Sequence, residues 1–539
     1  MFNSFQGRHK TQCLQGTQAD PLKQVQTWCE NSGSKQIYWL AGMPGTEKST
    51  IARTLASACH DGNPLVDGRF LPENIVLDAC FFFDKTQGYR RTTGSFFTTL
   101  CRGLTDCLPA MKPAVCETIS NNPNIGNQSI STQWQDSILS PLAEVDKQSL
   151  VPLTLILVID ALDECEDEND IDTIIQLLGQ PQTFNTISLK LFITSRPENF
   201  IQSSFNRISE TMFERFLLGK IDHSDDGFDD DIIKLLKHEL AIIANKRELP
   251  DDWPGKKEIE TLTSKSGGLF IYAASVCRFL GGSKLKNYQL EIRLKSIFSD
   301  RLGTDSPQSS LDEVYTHILK FSVIVDAIDE EMGELFSRFQ TVVGAIINLA
   351  EPLSIANVAQ LISLKSLDVK DTLQGLQSVV SFGKNESSPI QLLHLSFRDF
   401  LLDDTRCLVK GFLISQSQAH TSLLQKCLDV LSETLRRDIC GLSDQSSCAK
   451  DVEPARIDRD IPRHVHYACL HWVYHLQQAA IEPLDDGNVH EFLKVHLLHW
   501  LEALSLMGKM SEGMRRVIDF SSYIQGLSVG LFSSMTVSL

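Results

Sequence analysis

Residues 42–49 read GMPGTEKS, which fits the spacing G-x-x-x-x-G-K-[ST] at Gly42, Lys48 and Ser49 and departs from it at Glu47, where a glycine is required. In such a loop, backbone N–H groups and the start of the following helix surround phosphates. Gly42, Gly45, Thr46 and Thr50 line the cradle, Lys48 reaches the β- and γ-phosphates, and Ser49 ligates Mg²⁺. A second stretch, LTLILVIDALDE at 153–164, is an apolar run ending in Asp160, Asp163 and Glu164. One carboxylate at such a tip holds Mg²⁺ or its water shell, and a second polarises an attacking water. The third stretch, LFITSRP at 191–197, sets Arg196 beside the same kind of edge, placed to sense a γ-phosphate. Taken singly, each has a plain reading: a strand-turn-helix corner, a solvated acidic turn, an arginine before a proline turn. Their order along one chain is far more specific than any of them.

The elements that must position these residues follow from periodicity. Strands are expected at 37–41, 76–83, 153–159 and 189–194, the third nearly continuous in apolar residues and so buried on both faces. Helical spacing runs through 49–59. Strands and helices in alternation imply an α/β domain with a mainly parallel sheet. Past about residue 216 the strands stop. An acidic stretch (222–231) leads to an amphipathic helix through Ile232, Leu236, Leu240 and Ile243, and 259–280 supplies more helix. Helices at 353–364 and 369–380 followed by a strand-like 390–395 make a winged-helix-like order. From about residue 401 the chain is helical again, with a polar loop at 440–454. No internal repeat is visible. The expected division is a lead-in helix (1–34), a nucleotide-binding domain (35–216), a helical domain (217–300), a winged-helix-like domain (301–402) and a C-terminal helical domain (403–539).

Bulk properties narrow the partners. The 539 residues are 42% hydrophobic, enough for several cores. A net charge of -18 without a cluster of Lys and Arg argues against nucleic acid or an anionic membrane. The 14 cysteines form no C-x-x-C pair, and several lie within apolar runs, as small buried hydrophobes of a reducing compartment do. Neither an apolar leader nor a membrane-length run is visible, so a cytoplasmic protein is expected.

With these residues in hand, the chain resembles the NACHT class of STAND P-loop NTPases, relatives of NOD-like receptors. It looks closest to fungal NACHT proteins with a nephrocystin-type N-terminal module. CLQGT at 13–17, the stretches 39–55, 158–165 and 194–198, GLFIYA at 268–273, HLSFRDFLL at 394–402, and the YAC, WVYHL and HWLEAL segments at 467, 472 and 499 carry the likeness over nearly the whole chain. The resemblance implies an ASCE/AAA-like P-loop domain that binds ATP or ADP with Mg²⁺, with Asp160 as the Mg²⁺ carboxylate and Asp163 or Glu164 activating water. It also implies that His394 contacts the β-phosphate of ADP in a closed state. ADP holds that state, exchange for ATP opens it, and the open form self-oligomerises or engages protein partners. Three departures stand against the pattern. Glu47 replaces a glycine, Gln18 stands where arginine is usual, and Phe270 takes the place of a proline.

Glu47 carries two expected costs. A left-handed backbone there costs a non-glycine residue about 1–2 kcal/mol. A carboxylate ~5 Å from a phosphate adds roughly 3 kcal/mol at an effective dielectric of ~20. Together these weaken nucleotide binding about a thousandfold, unless the side chain turns to solvent or pairs with Lys48. The sequence therefore leaves a nucleotide switch with weak or no hydrolysis beside a catalytically dead scaffold or decoy. A compact small-molecule kinase fits poorly with so much helical chain after the sheet.

Overall fold

A computed structural model describes residues 12–527, except 15, 67, 86–91, 183, 219–225, 283–284, 300–306, 324–330, 384–387, 443–451 and 482–486. Parts of the expected lead-in, of the acidic stretch and of the polar loop at 440–454 thus lie outside the described residues. The chain divides into two compact units, Met1–Leu311 and Asp312–Leu539.

The first unit begins with α1 (Ala19–Glu30), β1 (Ile37–Gly42), α2 (Lys48–Asp61), β2 (Ile75–Phe82) and α3 (Phe96–Cys107). It continues through β3 (Leu153–Asp160), α4 (Glu168–Leu178), β4 (Ile187–Ser195) and β5 (Phe213–Leu218). The helices α5 (Asp226–Arg247), α6 (Lys256–Ser266) and α7 (Phe270–Leu280) follow. The five strands form one sheet in the order β2-β3-β4-β1-β5, with every pairing parallel. Successive residues of a strand point to opposite faces, and β1 feeds two cores in turn. Ile37, Trp39 and Ala41 join Phe96, Phe97, Ile171 and Ile175 on one face. Tyr38 and Leu40 join Leu22, Val25, Trp28, Ile51 and Leu55 of α1 and α2 on the other. Burial on both faces is why these strands read as near-continuous apolar runs.

Strand ends differ from expectation by one residue at β1, β2 and β3 and by up to two at β4, while β5 is a strand that periodicity alone missed. Among the described residues it pairs only with β1, at the sheet's edge, and its Glu214 and Arg215 interrupt the apolar pattern. Edge strands commonly carry such charges, which discourage pairing with another chain. Within β4 the charged exception is Lys190, 2% exposed, whose Nζ donates to the carbonyls of Trp28 (2.5 Å), Asn31 (2.8 Å) and Cys29 (3.1 Å). It caps the C-terminal end of α1, where unpaired carbonyls and the helix dipole favour a cation.

In the second unit the described elements include α8 (Met332–Asn348), α9 (Ile355–Leu361), α10 (Ser366–Gln374), β6 (Val380–Ser381) and β7 (Gln391–Leu392). After them come α11 (Leu395–Leu402), α12 (Gln416–Thr434), α13 (Arg463–Ala479), α14 (Asn488–Leu506) and α15 (Met510–Leu527). The helix expected over 369–380 stops at Gln374, and Val380 instead pairs with Leu392 in a two-residue antiparallel ladder. The strand expected over 390–395 is likewise only Gln391–Leu392, since Leu395 opens α11. Two-residue strands are too short for a period of two to be read. A buried relay links α12 and α13 to the segment after α8: Ala350 N–H donates to Tyr467 Oη (2.9 Å), Tyr467 Oη meets His475 Nε2 (2.7 Å), and His475 Nδ1 meets His420 Nδ1 (2.8 Å). Ala350 N, Tyr467 Oη, both ring nitrogens of His475 and His420 Nδ1 thereby gain partners, as a low-dielectric interior requires. No described helix is long and apolar enough to cross a membrane.

Candidate nucleotide site

Because β4 lies between β1 and β3 and all three run the same way, the three chemical stretches converge on one edge of the sheet. Gly42 ends β1, Asp160 ends β3, and Ser195 ends β4 with Arg196 next in line. This is the carboxyl edge at which open α/β sheets bind ligands.

The loop between β1 and α2 is built for close approach. A Cβ on Gly42 would stand 2.6 Å from Thr46 Oγ1, and one on Gly45 (φ +82) would strike Ile271 Cγ2 at 2.1 Å. The turn thus packs directly under α7, and buried Thr46 braces it by donating to the Met43 carbonyl (2.9 Å). Lys48 Nζ donates back to the carbonyls of Gly42 (2.7 Å) and Met43 (2.9 Å). Its pKa is pulled down to about 8, chiefly by burial and in part by Arg196, against the opposing pull of Asp163, Asp160 and Glu164. Ser49, half-buried, stands in the first turn of α2.

Glu47 sits at φ 66, ψ 22, the left-handed conformation a glycine would take without strain. Its carboxylate neither turns to solvent nor pairs with Lys48 by a hydrogen bond. It accepts one from Thr50 Oγ1 instead, which commits the Thr50 hydroxyl. Burial pushes the Glu47 carboxyl up, while the Thr50 hydrogen bond, Arg278 of α7 and Lys48 hold it down.

At the tip of β3, Asp160 is 2% exposed and accepts from Thr194 Oγ1 (2.6 Å), which in turn accepts from the Ala161 N–H (2.9 Å). Asp163 is engaged differently: Oδ1 accepts the Arg196 backbone N–H (2.9 Å) and Oδ2 lies 3.2 Å from Arg196 Nε. The arginine is thereby clamped in place, so Asp163 orients it. Glu164 accepts from the Lys85 N–H (3.3 Å) and is half-buried. Thr194 was not singled out from sequence, although a hydroxyl one strand over from a strand-tip carboxylate is the signal that finds it.

Among the described residues no group of three or more His, Cys, Asp or Glu side chains is arranged to hold a metal alone. Mg²⁺ characteristically keeps one or two carboxylates and completes its shell with phosphates and water. Asp160, fixed by Thr194, and Ser49 at the helix start suit that requirement, and Lys48 held against loop carbonyls is an ammonium ready for an anion. The residues present therefore fit a Mg²⁺–nucleotide, with Glu47 as the dissonant member.

His394 lies in the second unit. It is the N-cap of α11 rather than a strand residue, and its Nδ1 accepts the Ser396 N–H (3.1 Å) and meets Ser396 Oγ (2.7 Å). Ser396 Oγ continues to Tyr315 Oη (2.6 Å). An accepting Nδ1 puts the ring proton of the neutral tautomer on Nε2.

Residues 21–196 match the family model of the nephrocystin 3 N-terminal region. Over 526 residues, 93% of the chain, the sequence is 23% identical to vegetative incompatibility protein HET-E-1 of Podospora anserina. This chain covers 35% of that relative's length. The two matches support a likeness to fungal NACHT-type proteins with a nephrocystin-type N-terminal module.

The lowered Lys48 pKa gives a pH dependence with a definite sign. Below about 8 the free site offers an ammonium; above it, a neutral amine that binds phosphate poorly. A phosphate held there would raise that pKa and its binding would take up a proton, so if the site takes Mg·ADP its Kd should rise by up to about tenfold per pH unit above pH 8. Calorimetric titrations between about pH 7 and 9 check this, and Lys48→Arg should flatten the curve.

Proposed function

We propose that the chain is a nucleotide-controlled signalling switch, binding ADP or ATP with Mg²⁺ at 42–50 and hydrolysing ATP weakly or not at all. The observation that carries this reading is the convergence of Lys48, the Thr194-fixed Asp160 and the Asp163-clamped Arg196 on one sheet edge. Gly42, Gly45, Thr46 and Thr50 shape the cradle, Lys48 faces the β- and γ-phosphates, and Ser49 with Asp160 holds the metal. Bound Mg²⁺ would neutralise phosphate charge. Glu164 is the carboxylate left to activate water, because Asp163 is committed to Arg196. Weak turnover follows from Glu47, whose charge opposes the accumulation of negative charge at the phosphates.

The switch reading extends to the regions after the sheet: a helical domain at 217–300, a winged-helix-like domain at 301–402 that contains His394, and a helical domain at 403–539. A nucleotide biases such a protein only as far as its affinities for the closed and open forms differ. Cytoplasmic signalling through self-association or protein partners fits the vegetative incompatibility relative and the acidic surface. Glu47 is the specific observation favouring a second reading, a scaffold with the same fold that works through protein contacts alone.

Sedimentation of the full chain with Mg·ADP and with a non-hydrolysable ATP analogue separates the two. A switch should associate further with the triphosphate, and His394→Ala should raise the associated fraction in ADP. Identical profiles in both nucleotides for both proteins would leave the scaffold reading standing.

A further inference from the structure

In the second unit, α13 carries Tyr467, His471 and His475 on one helix face, and all three are buried, as is His420 of α12. The hydrogen bonds of the relay through them fix where each proton stands. Ala350 N–H can only donate, so Tyr467 Oη accepts it (2.9 Å). Among the described residues Tyr467 Oη has one further partner, His475 Nε2 (2.7 Å), so its O–H points there and Nε2 accepts. The ring proton of neutral His475 therefore sits on Nδ1 and is donated to His420 Nδ1 (2.8 Å), which puts the His420 ring proton on Nε2.

This order has no place for an added proton. A proton on His420 Nδ1 would point at the one on His475 Nδ1 unless the whole chain reversed. Reversal would aim both Ala350 N–H and His475 Nε2–H at Tyr467 Oη and turn its hydroxyl proton away from its present partner. A second proton sets two N–H groups face to face in either direction. The surroundings offer little to hold the charge. Tyr474 packs its ring against His420 (5.5 Å) and His475 (5.2 Å), and Cys427 of α12 bears on Tyr467. Of the helices packed around the pair, α9 has no titratable side chain, and Glu334 and Arg338 of α8 pair with each other. On α15 the Arg516–Asp519 pair stands beside Gln477; α14 sends Trp500 to the Cys469 carbonyl, and its His496 and His499 face each other. Glu351 lies 3.7 Å from His471 Nε2, with Arg463 and Lys509 also acting on it.

We infer that the His420–His475 pair is an acid-operated latch, which holds α12 and α13 to the segment after α8 while neutral and releases them on taking up protons. It lies wholly within the second unit and does not depend on the nucleotide site. In the released form each imidazole takes a proton near pH 6.5, the ordinary histidine value. The closed form keeps both rings neutral, so the released form binds up to two more protons and gains as pH falls, by up to about tenfold per pH unit for each ring. The latch is thus closed above about pH 7 and lost progressively below about pH 6.5. His464 and His466 on the same helix, both lowered chiefly by burial, add to the trend. The His471–Glu351 pair works against it, because a protonated His471 attracts Glu351 more strongly.

Hydrogen exchange of the full chain between about pH 5 and 7.5, corrected for the intrinsic rate at each pH, tests this through the opening constants of 416–434 and 463–479. In wild type these should rise by about 100-fold per pH unit below about pH 6.5, while 153–160 of the first unit stays level. His420→Asn keeps an acceptor where Nδ1 stood but cannot titrate. Tyr467→Phe lets His475 Nε2 take a proton while Nδ1 still donates to His420. Each variant should therefore lower the slope by about tenfold per pH unit. A purely structural role would instead raise opening equally at every pH and leave the slope alone. A wild-type opening constant that does not change with pH overturns the inference whether or not the variants fold, and so does a wild-type slope in either variant.

Discussion

Glu47→Gly is expected to bind Mg·ADP about 100-fold more tightly than wild type and to be more stable by about 1 kcal/mol. The two effects have separate causes. The left-handed backbone at φ 66 is present with and without ligand, so its cost of about 1–2 kcal/mol belongs to folding. Part of the gain is offset because glycine adds freedom to the unfolded chain, about 0.5–1 kcal/mol. Only the charge bears on binding. A carboxylate ~5 Å from a phosphate at a dielectric of ~20 costs roughly 3 kcal/mol, or about two orders of magnitude in Kd. The thousandfold expected from sequence added both costs to affinity, and the geometry divides them. Glu47→Gln separates them in practice: it should recover most of the affinity and none of the strain-related stability. Calorimetry with ADP and a denaturant midpoint read both effects, and unchanged affinity in Glu47→Gly would mean that the Thr50 hydrogen bond and Arg278 already neutralise the carboxylate.

Lys190→Met should destabilise the first unit by about 3 kcal/mol. The methionine matches the stem of lysine but removes the donor shared by three carbonyls; Trp28 and Asn31 keep Ser34 Oγ (3.0 and 2.8 Å), and the Cys29 carbonyl loses its donor. An orphaned acceptor costs about 1–3 kcal/mol and the lost charge-assisted hydrogen bonds add to it, partly offset because a desolvated ammonium is no longer held in the core. Burial is also what lowers the Lys190 pKa. Because Lys190 holds the C-terminal end of α1, its loss should increase hydrogen exchange along 19–30 before the sheet itself opens. Exchange unchanged along α1, with a lower global midpoint, would show that Lys190 stabilises only the sheet.

The central strands and the three chemical stretches were legible because a doubly covered parallel strand is an apolar run, and polar residues at its end interrupt the run abruptly. Asp160, Arg196 and Lys48 each announce a strand or loop edge in that way. What escaped depends on partners distant in sequence. Thr194 matters because β4 inserts between β1 and β3, and Asp163 becomes a clamp because Arg196 folds onto it. At β5 and at Gln391–Leu392 the obstacles were an edge strand's charges and a ladder two residues long.

Direct titration of Mg·ADP into the full chain, beside Lys48→Ala, tests the nucleotide site most directly. Saturable one-to-one binding by wild type is expected, weakened about 100-fold or more in Lys48→Ala while the unfolding midpoint is preserved. Equal affinity in both proteins, or no binding by wild type and Glu47→Gly alike, would contradict it.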